Sequence, residues 1–255
     1  MAEPVTLVLG LGREIGGAIA RTFAEDGHRV LVADPSLERV EAAVDALEAE
    51  TKAIASYHGD LHSRLGLRNA VAAALEAFGR IDNAVIVPEI EENDHILDFS
   101  QEKFDKAIAR AVSGSALALR IIAERLLEQE DLPQAGVERT PQKGSITFVL
   151  GYAALASMPN WFTEGVAQSA ILGVMRSGAL GLAEHAIRVN AVIAIRPREE
   201  RAETWTTRRV PLGRATLADE VAEAVRYVAS PQAAFMTGQS LVLDGGRSTL
   251  AGLVD

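Results

Sequence analysis

The chain has 255 residues, 48% of them hydrophobic and 24% charged, which is ordinary for a globular protein with one large buried core. A formal net charge of −10 and a pI near 5.1 argue against broad contact with nucleic acid or anionic membranes, which needs clustered Lys and Arg. The absence of cysteine excludes disulfides, thiolate nucleophiles and Cys-ligated metals.

The opening stretch MAEPVTLVLGLG enters a strand almost at once, with neither a basic leader nor a sustained apolar region. No uninterrupted apolar run reaches the roughly 18 residues of a membrane span, so a cytoplasmic protein is expected. Strand-like runs at 5–10, 29–34, 53–60, 83–87, 145–151, 188–194 and 240–244 alternate with helix-like segments. The continuous apolarity of VTLVLG and SITFVLG suits parallel strands covered on both faces, while SLERVEAAVDALEAE spaces its apolar residues for one face of a helix. A single α/β domain over 1–255 follows, a Rossmann-like doubly wound parallel sheet flanked by helices on both faces. Ser36 and Ser100 are expected as helix N-caps, and Gly27, Gly79 and Gly114 at helix ends or close packing points. The polar stretch 128–143, EQEDLPQAGVERTPQK, reads as an exposed connection.

Residues 144–192, GSITFVLGYAALASMPNWFTEGVAQSAILGVMRSGALGLAEHAIRVNAV, read as strand, loop, long helix and strand. With VPLGRATLADEVAEAVRYVAS and FMTGQSLVLDGG near the C-terminus, the layout resembles the short-chain dehydrogenase/reductase family over nearly the whole chain. In that family a serine ends the first of these strands and a Tyr-x-x-x-Lys pair lies thirteen residues on. Counting from Gly144 and back from Asn190 puts the serine position at Gly151, the tyrosine at Glu164 and the lysine at Gln168. The asparagine of the preceding helix falls on Ala111 within FDKAIARAVSGS. All four positions lack the group that the resemblance assigns to proton transfer, carbonyl polarisation and ribose anchoring, a loss that general acid–base catalysis alone puts at about 10²–10⁴-fold.

The resemblance implies a dinucleotide site from Gly10, Gly12, Gly16, Asp34, Asp60 and Leu61, in vestigial form. In the Gly-x-x-x-Gly-x-Gly turn, Gly10 and Gly16 match, but the middle glycine is Glu14. A carboxylate about 4 Å from a phosphate charge costs on the order of 4 kcal/mol at an effective dielectric near 20. Glu14 is therefore expected to cap its own helix in place of the anion. Asp34 occupies the place of an acid that hydrogen-bonds a ribose, and Asp60-Leu61 that of an adenine-contacting pair, so NAD is favoured over NADP if a cofactor binds. Both acids read equally as strand ends or caps. The family's Asn-Asn-Ala-Gly becomes Ile86-Val87-Pro88-Glu89, and its Pro-Gly after the sixth strand becomes Ala194-Ile195. Pro88 lacks a backbone donor and Glu89 adds a negative side chain beside the groove.

Trp161 with the preceding MPN resembles enoyl-acyl carrier protein reductases, but indole is no proton donor at neutral pH. Tyr152 lies one residue past the serine position and should point to the opposite face. Glu164, if desolvated, is a candidate general acid. The five histidines are scattered and make no metal site. The run 196–209, RPREERAETWTTRR, lies where the family has a substrate lid and reads as a solvated or partner-facing segment. The resemblance then implies a catalytically inactive subunit of a hetero-oligomer, a tetramer with an active NAD-dependent alcohol dehydrogenase or ketoreductase paralogue acting on a hydroxyacyl-CoA in anaerobic aromatic degradation. The alternatives are a dinucleotide-sensing protein and a rewired enzyme using Glu164.

Overall fold

The computed structural model describes residues 3–12, 14–48, 53–90, 94–132, 142–156, 160–195 and 210–250. Seven strands form one parallel sheet: β1 Val5–Leu9, β2 Arg29–Asp34, β3 Ile54–His58, β4 Asn83–Ile86, β5 Gly144–Gly151, β6 Ile187–Ala194 and β7 Ser240–Leu243. Their order is β3-β2-β1-β4-β5-β6-β7, and every pairing is parallel. Each lies within a residue or two of the run expected from sequence.

Period-2 alternation explains why both faces are buried. In β1, Leu7 and Leu9 point to one layer with Ile146, Phe148 and Leu150 of β5, while Val8 joins Val32, Val149 and Val192 on the other. The first layer is covered by α3 (Arg64–Phe78), α5 (Gly114–Glu128) and α6 (Phe162–Leu182), the second by α1 (Ile15–Glu25), α2 (Leu37–Glu48) and the helix Ala218–Ala229, here α7.

Ser36 Oγ accepts from Arg39 N–H at 3.3 Å at the start of α2. Ser100 Oγ accepts from Lys103 N–H at 3.5 Å at the start of α4 (Gln101–Ala107). Gly79 ends α3 at φ 80°, and Gly114 lies against His62, whose Nδ1 would be 3.4 Å from an added Cβ. Between α4 and α5 the chain does not break but widens into a π-turn, Ile108–Ser113, a distortion that recurs at functional sites. The segment Phe162–His185 is long and apolar enough by composition to cross a membrane, with mean hydropathy 1.3. Its apolarity has a nearer cause in the core, where Ile171, Leu172 and Met175 pack beneath the sheet. Only 33% of that window is buried, and Val166 and Leu180 stand on the outer side.

Candidate functional site

The strand order reverses between β1 and β4, which opens a crevice at the carboxyl ends of the strands, where such sheets place ligands. Gly10, Asp34, Val87 and Gly151 stand at or just past the ends of β1, β2, β4 and β5. Gly10 has φ 89°, and a Cβ there would lie 2.4 Å from the Val87 carbonyl oxygen. A Cβ at Gly16 would lie 2.5 Å from the Gly10 carbonyl oxygen. Packing alone thus demands both glycines. Gly12 also takes a left-handed φ, 57°.

Glu14 occupies the N-cap position of α1, but its side chain makes no capping hydrogen bond and it is exposed. The expected self-cap is not formed, because the backbone there, φ −141° and ψ −30°, departs from the extended conformation that turns a capping side chain back onto the first turn.

Asp34 is 1% exposed and both of its carboxylate oxygens accept hydrogen bonds. Oδ2 accepts from Leu11 N–H at 2.7 Å, and Oδ1 accepts from Ser36 N–H at 2.8 Å and from Arg39 Nε at 2.9 Å. Arg39 Nη1 donates to Glu89 Oε1 at 2.9 Å, and Nη2 is shared between Glu89 Oε2 at 3.0 Å and Asp34 Oδ1 at 2.8 Å. Burial opposes the charge on Arg39, but the bonds to Glu89 and Asp34 prevail and raise its pKa above the usual arginine value. Asp60 is exposed and turns its Oδ1 to His62 N–H at 2.9 Å, a bond that, with Ser63 and nearby charges, holds its pKa low. His62 Nδ1 lies 3.2 Å from the Arg110 carbonyl, and burial followed by the Arg110 charge lowers its pKa. A small cavity open to solvent on one side is lined in part by Asp34, Leu61, Pro88, Glu89 and Ala111.

Of the four positions singled out for chemistry, Gly151 and Gln168 are brought into direct contact. Ala111 is buried on the π-turn, and Glu164 and Gln168 are buried on α6 at 6% and 1% exposure. Gln168 Oε1 accepts from Gly151 N–H at 3.1 Å, so the lysine and serine positions are bonded to each other. Asp94, which sequence reasoning missed, accepts from Thr163 N–H at 2.8 Å and from the Thr163 hydroxyl, holding the start of α6 beside Glu164. Tyr152 packs with Ile195 and Val210, its ring 5.3 Å from the Arg247 guanidinium carbon. Trp161 is the N-cap residue of α6. His58 Nε2 meets the Pro35 carbonyl at 3.2 Å, and no metal-binding group of histidines and carboxylates occurs among the described residues. Residues 158–159 of the MPN motif, the run 196–209 and most of the connection 128–143 lie outside the described residues.

The family model described as enoyl-(acyl carrier protein) reductase matches residues 10–248. The chain belongs to the short-chain dehydrogenase/reductase family. A short-chain dehydrogenase of Neurospora crassa is 32% identical over 261 residues, 93% of this chain and 94% of its own length. L-rhamnose 1-dehydrogenase (NAD(P)+) of Azotobacter vinelandii is 30% identical over 265 residues, 96% and 97% of the two chains. The solved 3-ketoacyl-(acyl-carrier-protein) reductase of Brucella melitensis, complexed with NADH, superposes with a TM-score of 0.85 at 25% identity, covering 97% of this chain and 99% of that one.

Within this short-chain dehydrogenase/reductase fold, the residues present do not fit a dinucleotide. A carboxylate, Glu14, stands at the N-terminus of the helix that would receive the pyrophosphate. The ribose acid is taken up by Arg39, Pro88 offers no backbone donor, and an amide bonded to backbone replaces the ribose-anchoring ammonium. Arg39, like Asp94, was passed over by sequence reasoning. Its only signal was a guanidinium five residues after a strand-ending acid, which reads equally as a solvated helix face.

Proposed function

We propose that this chain is a non-catalytic subunit with a short-chain dehydrogenase/reductase fold, which assembles with and supports an active, NAD-dependent paralogue. One observation carries the reading: the four positions that would transfer a proton, polarise a carbonyl and anchor a ribose hold Ala111, Gly151, Glu164 and Gln168, and the last is spent on the Gly151 backbone. None presents a hydroxyl or a cation to a carbonyl substrate. No hydride-transfer step is therefore assigned to this chain, and NAD is a cofactor of the partner.

The outer side of α6 supports assembly. Val166 is 39% and Leu180 83% exposed, and an added Cβ at Gly173 or Gly181 meets nothing within 4 Å, so an apolar surface of low relief is open to a second helix. The arrangement proposed is a heterotetramer like the (hydroxybenzyl)succinyl-CoA dehydrogenase of anaerobic toluene degradation, in which an inactive chain accompanies an active one on a hydroxyacyl-CoA. The test is to co-express the chain with the dehydrogenase encoded beside it and to assay each alone and together. Co-purification, with a gain in the partner's stability or rate and no turnover by this chain alone, is expected. Turnover with NAD(H) or NADP(H) by this chain alone, or two proteins that elute separately without affecting one another, refutes the reading.

A further inference from the structure

We infer that Arg39 and Glu89 form an internal strap that closes the adenosine end of the crevice and keeps a dinucleotide out. The strap follows from where the two residues leave the sheet. Arg39 lies in the first turn of α2, the helix that follows β2, and Glu89 lies three residues past β4, with β1 running between those strands. A bond joining the two passes over the carboxyl end of β1, where Gly10 turns the chain. The bond is bidentate, at 2.9 and 3.0 Å, and the Nε of the same guanidinium also grips Asp34 at 2.9 Å. A forked contact of this kind is directional and fixes both partners.

The strap also consumes the acceptor that a ribose needs. An ionised carboxylate offers roughly four lone-pair sites. On Asp34, Ser36 N–H with the Arg39 Nε and Nη2 saturate Oδ1, and Leu11 N–H takes one of the two sites on Oδ2. A ribose diol donates two hydroxyl hydrogens and finds room for one. A 2′-phosphate fares no better, since it meets Arg39 flanked by two carboxylates whose charge together outweighs that of the guanidinium. The adenosine end thus satisfies itself with its own side chains, whether or not the chain assembles with a partner.

The experiment is calorimetry with ADP-ribose, which carries the adenosine and pyrophosphate but no nicotinamide, on the wild type and on R39M/E89Q. The double substitution removes one charge of each sign and preserves side-chain volume. Opening the strap is expected to tighten ADP-ribose by about tenfold or more, with inorganic pyrophosphate changed by less than about threefold, because the net charge of the crevice is unaltered. Equal ADP-ribose affinity in the two proteins, undetectable binding in both, or an equal gain for pyrophosphate overturns the inference. If R39M/E89Q does not fold, R39K decides on the same criteria. Its single ammonium cannot fork between two carboxylates, so a gain of about threefold or more is expected, and its absence overturns the strap. A chain that elutes apart from the neighbouring dehydrogenase and leaves its rate and stability unchanged, but whose R39M/E89Q variant gains ADP-ribose affinity, would overturn the subunit reading and leave this one standing.

Discussion

Replacing Gln168 by leucine asks whether the position of the family's lysine has become a strut of the fold. The side chain is 1% exposed and its Oε1 is the acceptor for the buried Gly151 N–H at 3.1 Å. Leucine has nearly the same volume but no acceptor, so the N–H is left buried and unbonded, at a cost of about 1–3 kcal/mol. Burying extra apolar surface offsets part of this, and a net loss of about 1–2 kcal/mol is expected, with roughly 2–4 °C in Tm for each kcal/mol in a chain of this size. Q168E keeps an acceptor but adds a second carboxylate one helical turn from buried Glu164, and two such groups cannot both ionise. It should be less stable than Q168L at pH 8 and recover on acidification. The sign follows from linkage: a carboxyl whose folded pKa is raised loses stability as pH rises through that value and regains it below the unfolded value. Urea unfolding at pH 8 and pH 5 measures both variants. Q168L within about 0.5 kcal/mol of wild type, a change typical of neutral surface sites, would refute the strut.

Arg188 is 5% exposed and donates to the carbonyls of Val228 and Ala229 at 2.7 and 2.8 Å, with burial lowering its pKa to about 10. R188M strips those carbonyls at the end of α7 and should lose about 3 kcal/mol in urea unfolding; a loss below about 1 kcal/mol contradicts this. D94A removes both bonds to Thr163 and should lower stability by about 1–2 kcal/mol, read as a shift in Tm. E164Q should leave the purified chain as inactive as the wild type in a spectrophotometric NAD(P)H assay, whereas a wild-type rate abolished by this change would establish Glu164 as an acid. His28 is bonded to Thr6 Oγ1 at 2.9 Å, and burial lowers its pKa against the pull of Asp26 and Asp82. The unfolded chain therefore takes up a proton first, and stability complete above about pH 6.5 falls as pH drops below it. H28Q should reduce the loss of urea midpoint between pH 7.5 and 5.5. The reduction is partial, because the lowered pKa of His62 acts in the same direction.

The sheet was legible because each strand is a local apolar run and the two buried faces follow from period-2 alternation, as Leu7, Val8 and Leu9 demonstrate. The register of the family resemblance put Gly151 at a strand end and Glu164 and Gln168 on a long helix, and β5 and α6 hold them there. What those residues do there was not legible. That Gln168 turns its oxygen onto Gly151, seventeen positions away, depends on how α6 lies on β5, and no local pattern reports it. Glu14 was misread because the identity of a residue at an N-cap does not fix the backbone angles that decide whether its side chain returns. Asp94 escaped notice because its partner Thr163 is 69 residues distant and belongs to an unremarkable helix start.

The pairing within the crevice bears on what kind of protein this is. A site built to receive a ligand keeps donors and acceptors that water satisfies until the ligand displaces it. Here Asp34 is met by Leu11, Ser36 and Arg39, Glu89 by Arg39, and Gln168 by Gly151. A ligand would have to break these bonds before making its own, and only the surplus would appear as affinity. A sensor tuned to a dinucleotide gains nothing from such an arrangement. For the subunit reading the relevant bond is that of Gln168 to Gly151, which ties the end of β5 to α6, the helix proposed to meet the partner.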